Sequence, residues 1–182
     1  WCLVGSEMCI RDRIITDIVI DGANRKWFAT DGGGLFLMSE DGTSTIYSLS
    51  KENSPLFSNK IQALAINNSS GELFIGTEKG ILGFKSGATS SNTTFTELVV
   101  YPNPVRPDYQ GNISVKGMMH NSEVKIVDAS GFHIQTVFSR GGQAIWDGRD
   151  QNNQPVSSGV YYFFASSEDG YSKAKSKVLI IR

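Results

Sequence analysis

The chain has 182 residues, 40% hydrophobic and 19% charged, with a formal net charge of −1 at pH 7. That is a globular composition with room for one or two small domains. The near-neutral balance argues against a nucleic-acid binder, which normally carries a strongly basic footprint, and no apolar run approaches the roughly 18 residues of a membrane-spanning helix. Nineteen glycines, ten phenylalanines and six tyrosines lean toward an all-β fold, since turns need glycine and strands favour aromatic residues.

The opening stretch, WCLVGSEMCIRDR, has no initiator Met, no basic start and a broken apolar run, so it does not read as a signal peptide. It resembles the translated adapter sequence found at the ends of open reading frames in metagenomic assemblies. The expectation is a non-native segment over 1–13 and a native chain from near Ile14, the whole being a C-terminal fragment of a longer protein. Cys2 and Cys9 both fall there, so cysteine usage says nothing about compartment. The remainder is uneven in charge. Residues 14–100 carry six Lys+Arg against nine Asp+Glu, a net −3, and residues 101–182 carry nine against seven, a net +2.

The acidic region repeats itself. ITDIVIDGANRKWFATDGGGLF from Ile15 and IQALAINNSSGELFIGTEKGILGF from Ile61 align with a 46-residue period, pairing Ile15, Ile18 and Ile20 with Ile61, Leu64 and Ile66. After a one-residue slip, Thr30–Leu35 aligns with Thr77–Ile81. Each unit reads as an alternating strand, a polar turn, a second strand (WFAT or LFIGT), a glycine turn and a third strand. EDGT at Glu40–Thr43 is a hairpin signal before a fourth strand, STIYSL. Leu56-Phe-Ser-Asn-Lys-Ile61 and Leu73-Phe-Ile-Gly-Thr77 resemble the two-component regulator propeller repeats. The resemblance implies a partial β-propeller over 14–86, about one and a half blades, which needs neighbouring blades to bury its faces. Asn24-Arg25 and Ala29 depart from the repeat pattern, where glycines are expected.

Residues 87–97, opening with GATSSNTTFT, are small and polar and read as a linker with little to bury. From 98 onward about seven short strands follow, with spacing suited to an antiparallel sandwich. DASG at Asp128–Gly131, RGGQ at Arg140–Gln143 and EDGY at Glu168–Tyr171 supply turns, and Trp146 reads as a core anchor. In GVYYFFAS, Val160, Tyr162 and Phe164 share one face, and Tyr161 and Phe163 the other. Pro102, Pro104 and Pro107 crowd the start of this region. The first two remove backbone donors and hold the chain extended, which suits a sheet edge.

Four stretches occur in order: Tyr101-Pro-Asn-Pro104, Val124-Lys-Ile-Val-Asp-Ala-Ser-Gly131, Ser158-Gly-Val-Tyr-Tyr162 and Lys175-Ser-Lys-Val-Leu-Ile-Ile181. Together they resemble the C-terminal sorting domain of type IX secretion substrates and the immunoglobulin-like domain of flagellar hook-cap proteins. The resemblance covers 98–182 and implies an immunoglobulin-like antiparallel β-sandwich. It marks Tyr101, Pro102, Asn103, Pro104, Asp128, Gly131, Gly159, Val160 and Tyr161 as motif residues. A narrower resemblance, in YPNPVRPDYQG and GGQAIWDGRDQNNQPVSSGVYYFF, is to surface proteins of the type IX machinery that place such a domain after propellers.

Little else points to chemistry. His120 and His133 lie near no recognisable catalytic arrangement. Asp147–Asn152 offers oxygen ligands at short spacing but lacks the order of a calcium loop, and it reads better as an Asn/Asp-rich hairpin loop. Gly32–Gly34 precedes a strand, whereas a phosphate cradle needs a helix N-terminus. The glycosylation triplets at Asn92 and Asn112 carry little weight if the source is bacterial, as the resemblance implies. Lys173, Lys175 and Lys177 alternate, so a strand would send all three to one face. They read either as a charged edge that deters pairing with other chains, or as recognition of the translocation machinery or of anionic lipopolysaccharide.

The resemblance implies a non-catalytic cell-surface component of the type IX machinery, on the outer face of the outer membrane. It would work with the sortase and outer-membrane shuttle proteins and bind anionic lipopolysaccharide for attachment to cargo. It implies no cofactor, no metal, no nucleic acid and no transmembrane segment. The alternative is type IX cargo whose C-terminal domain is a cleaved sorting signal. A propeller-bearing sensor is a third reading, less favoured because the chain ends in a sandwich.

Overall fold

A computed structural model describes residues 14–182; the adapter-like segment 1–13, with both cysteines, lies outside the described residues. Among the described residues there are fourteen strands and no helix. None of them therefore forms a helix long and apolar enough to cross a membrane. The chain divides into two compact units between Ser90 and Ser91.

In the first unit, β1 (Ile15–Ile20), β2 (Lys26–Thr30), β3 (Gly34–Met38) and β4 (Thr45–Leu49) form an antiparallel meander. A second meander follows, of β5 (Ile61–Asn67), β6 (Glu72–Thr77) and β7 (Gly80–Lys85). The repeat extends to an irregularity. β1 slips register against β2 between Ile15 and Asp17, and β5 slips against β6 between Ile61 and Ala63, one period later.

The two sheets share one core. Val19, Trp27, Leu37 and Tyr47 stand in a cross-strand row on the first sheet, and Ile66, Leu73 and Phe84 form a row on the second. Trp27, fully buried, joins them: Phe84 meets its ring edge-on at 5.7 Å and Tyr47 stacks at 6.4 Å. Aromatic pairs prefer these arrangements.

Equivalent residues of the two repeats differ in burial. Leu64 is 8% exposed within this core, whereas its counterpart Ile18 is 50% exposed. Ile20 is likewise open to solvent, while Ile66 packs against the core. The chemistry is the same and the neighbours are not: the second repeat lays this face on the first sheet, and the first repeat has no sheet beyond it among the described residues.

The stretch expected to be a linker is partly structural. Ala88 and Thr89 are buried, Ser90 N–H donates to the Asn68 carbonyl at 2.8 Å, and a Cβ at Gly22 would fall 2.0 Å from the Thr89 carbonyl carbon. Small residues here mark close backbone packing rather than a free spacer. On the other side of Ser90, Asn92 N–H reaches the Met118 carbonyl and Thr96 N–H the Gly117 carbonyl, so the second unit takes up the chain before Glu97.

The second unit contains the seven strands expected: β8 (Val99–Tyr101), β9 (Ile113–Lys116), β10 (Glu123–Val127), β11 (His133–Phe138), β12 (Gln143–Trp146), β13 (Gly159–Ser166) and β14 (Lys173–Ile180). They pair as two antiparallel sheets, in the orders β12-β9-β8 and β11-β10-β13-β14. Inward residues alternate with outward ones, and those of both sheets merge into one core, with Val100, Val115 and Trp146 from the smaller sheet and Ile126, Phe163 and Val178 from the larger. Trp146 is 1% exposed and its ring lies 5.8 Å from Phe163 and 5.6 Å from Tyr161.

Candidate functional site

The four motif stretches of the second unit meet on the larger sheet. Val124–Val127 of β10 pairs with Tyr162–Ala165 of β13, and β13 pairs with β14 from Gly159↔Ile180 to Ser166↔Lys173. The first motif closes part of the remaining edge. The bonds before Pro102 and Pro104 are cis, and the Asn103 side chain lies against β14. Its Nδ2 donates to the Lys177 carbonyl at 3.1 Å, and its Oδ1 accepts from Leu179 N–H at 3.1 Å. Val105 continues the pairing, donating to the Leu179 carbonyl at 2.8 Å and accepting from Ile181 N–H at 2.9 Å.

A primary amide carries a donor and an acceptor side by side, as an extended backbone residue does. Asn103 thus stands in for a strand residue, between two prolines that have no N–H to offer a further strand. Asn103→Ala would return two backbone groups of β14 to solvent. The expected cost is about 1–2 kcal/mol in urea unfolding, with faster hydrogen exchange at Leu179. An unchanged Leu179 exchange rate would mean that this amide does not hold the strand.

Asp128 and Gly131 build the turn from β10 to β11. The Asp128 carboxylate Oδ1 accepts from Ser130 Oγ at 2.6 Å, Ser130 N–H at 2.8 Å and Phe132 N–H at 2.9 Å. Gly131 sits at φ +89°, a conformation that glycine adopts without a steric penalty. The Ser130 hydroxyl bond, then the Phe132 N–H, hold the Asp128 carboxyl below its ordinary range. Asp169 is lowered in the same way, by Ser167 and then Tyr171.

The folded pKa of Asp128 is depressed, so its contribution is complete above the unfolded value of about 3.9 and fades as pH falls through the lower folded value. Asp128→Asn should therefore lower the melting temperature at neutral pH and lessen the decline on acidification. Thermal melts between pH 2 and pH 7 would test this. A variant that loses stability below pH 4 as steeply as the wild type would contradict it.

Tyr161 is buried and donates its hydroxyl to the Ser157 carbonyl at 2.9 Å. Burial pushes its pKa up, with the Asp128 charge adding to the effect. Val160 is half-buried. A methyl at Gly159 would meet only the Tyr161 ring, at 3.7 Å, so space does not force this motif glycine. Tyr101, at the end of β8, is exposed.

Lys173, Lys175 and Lys177 all lie exposed on the outward face of the edge strand β14. None forms an ion pair with a carboxylate among the described residues. Register adds a fourth cation that sequence reasoning left out: Lys125 of β10 lies in one row with Phe164 and Lys175. Its period-2 position was readable; which strand pairs with which was not.

The other polar clusters are spent locally. Asp150 Oδ1 accepts from Asn152 and Gln154 N–H, and Asp147 Oδ1 from Arg149 N–H, closing Asx-type turns. His133 shares hydrogen bonds with Thr136 and Gln151. The Gly32 and Gly34 amides both donate to the Asn59 carbonyl.

No family model and no curated protein matches the chain. Among solved structures it is similar to PorZ, an essential surface component of the type IX secretion system of Porphyromonas gingivalis. The identity is 36% and the TM-score 0.59, over 93% of this chain and 23% of PorZ. It is also similar to the extracellular domain of a one-component system from B. thetaiotaomicron, at 14% identity and TM-score 0.35, over 97% of this chain and 26% of that one. A further match is the BSP domain of a biofilm-associated protein, at 14% identity and TM-score 0.35, covering 90% and 28%.

Proposed function

We propose that the chain is part of a non-catalytic surface component of a type IX secretion machinery. The observation that carries this reading is the 36% identity to PorZ over 93% of the chain, which takes in both units. In this reading the two meanders are neighbouring blades of a propeller. The open face at Ile18 and Ile20, whose repeat equivalents are packed, supports that assignment. The second unit is an immunoglobulin-like sorting-type domain that stays attached. The protein acts at the outer face of the outer membrane with the sortase and shuttle proteins, and binds anionic lipopolysaccharide for attachment to cargo.

The competing cargo reading makes the same second unit a signal that is cut away. Peptide mapping of the full-length protein from washed cells separates the two. Retention of residues 99–182 at the surface is the expected result. A body ending just before Tyr101 would make the protein cargo and remove the lipopolysaccharide reading with it.

A further inference from the structure

The outward face of the β11-β10-β13-β14 sheet combines charge and aromatic surface in a way that edge protection does not explain. Lys125, Phe164 and Lys175 form one cross-strand row, and Tyr162 and Lys177 stand side by side in the next. At about 4.8 Å between strands, the Lys125 and Lys175 backbones lie about 10 Å apart with Phe164 between them. Along β14 the three lysines recur about every 6.7 Å. Phe164 is 47% exposed and Tyr162 37%. Glu123, on the same face, is 3.7 Å from Lys125 and offsets one of the four cations.

Lysines on β14 alone would serve to deter strand pairing. That reasoning does not reach Lys125, which stands on an interior strand, nor two exposed rings set between the cations. A protein partner is a poor match, because the cores of protein interfaces are depleted in lysine. A chain of acidic sugars fits both features: its apolar C–H faces lie on aromatic rings, and its anionic groups meet ammonium groups at the sides.

We propose that this face binds an acidic polysaccharide chain. The chain runs along β13 with its rings over Tyr162 and Phe164, flanked by Lys125 on one side and Lys173, Lys175 and Lys177 on the other. The lipopolysaccharide reading above supplies only the origin of that chain.

The test titrates the whole protein with polygalacturonate, with neutral dextran as control, and follows backbone NMR shifts. Shifts should cluster on β10, β13 and β14, and dextran should give none. Substituting Lys173, Lys175 and Lys177 with Gln should weaken binding about tenfold or more and flatten its salt dependence. Tyr162→Ala with Phe164→Ala should weaken it about three- to tenfold with the salt dependence kept. These side chains are exposed, so unchanged melting curves would confirm that the variants fold.

No shift with polygalacturonate, or shifts elsewhere, overturns the proposal. Lipopolysaccharide from a type IX bacterium, run in parallel, separates it from the reading above. If the variants bind lipopolysaccharide as the wild type does, this face is wrong and the reading survives. If polygalacturonate binds here while lipopolysaccharide is not bound at all, the reading fails and the face stands.

Discussion

Trp146→Ala should cost the second unit about 3–5 kcal/mol, the range for truncating a fully buried aromatic residue. The indole is 1% exposed and sits in the core between the two sheets, edge-on to Phe163 at 5.8 Å and tilted against Tyr161 at 5.6 Å. Its Nε1 donates to the Arg149 carbonyl at 2.8 Å, which ties the loop after β12 to the core. The substitution therefore opens a cavity and frees a loop carbonyl together. Trp146→Phe separates these effects: it keeps most of the volume and loses only the bond, so its cost should stay near 1–2 kcal/mol. Urea unfolding gives the magnitudes, and hydrogen exchange should place the loss in β9, β12 and β13. A cost for Trp146→Ala below about 1 kcal/mol would mean that the site is not packed as described.

The strands were legible because their physics is local. Alternation and turn residues marked all seven strands of the repeat region, and the 46-residue offset predicted which would look alike; the paired register slips at Ile15/Asp17 and Ile61/Ala63 emerge only from the strand pairing. That Tyr161 and Phe163 share a face, and that the three lysines share one, followed from a period of two; burial then shows the Tyr161–Phe163 face to be the inward one. What stayed hidden depends on residues far apart in sequence. Nothing near Asn103 signals that its amide completes a strand more than seventy residues away. The 87–97 stretch read as a spacer because Gly87, Ala88 and Ser90 have little to bury. The glycines they pack on, Gly71 against Ala88 and Gly22 against Thr89 and Ser90, reveal themselves only when the backbones come together. The Lys125–Phe164–Lys175 row likewise needed the pairing order of β10, β13 and β14.

Arg25 was hidden in another way, as a charge in a polar turn and a departure from the repeat pattern. It is instead half of a buried ion pair. Its Nη2 lies 2.7 Å from Asp21 Oδ2 and its Nε donates to the same oxygen at 2.8 Å, with side-chain exposures of 6% for Arg25 and 0% for Asp21. The other carboxylate oxygen accepts from Ala23 and Arg25 N–H, closing the β1–β2 turn. Arg25 Nη2 also donates to the Ser86 carbonyl, so the turn is pinned to the end of β7.

Removing one partner leaves the other charge buried, which typically costs about 3–5 kcal/mol against 0–1 for an exposed pair. Asp21→Ala should fall in the higher range. It strands a guanidinium whose Nη1 already lacks a partner and whose other protein acceptor is one carbonyl, and it undoes the turn as well. Arg25→Met should cost less, because the carboxylate keeps its two N–H donors. Combining Asp21→Asn with Arg25→Met removes both charges but keeps an oxygen for the turn. The double variant should be markedly more stable than Asp21→Ala, since the burial of unpaired charge rather than the loss of attraction sets the cost. A cycle in which Asp21→Ala costs no more than an exposed pair would show that this pair is solvated and does not hold the turn to β7.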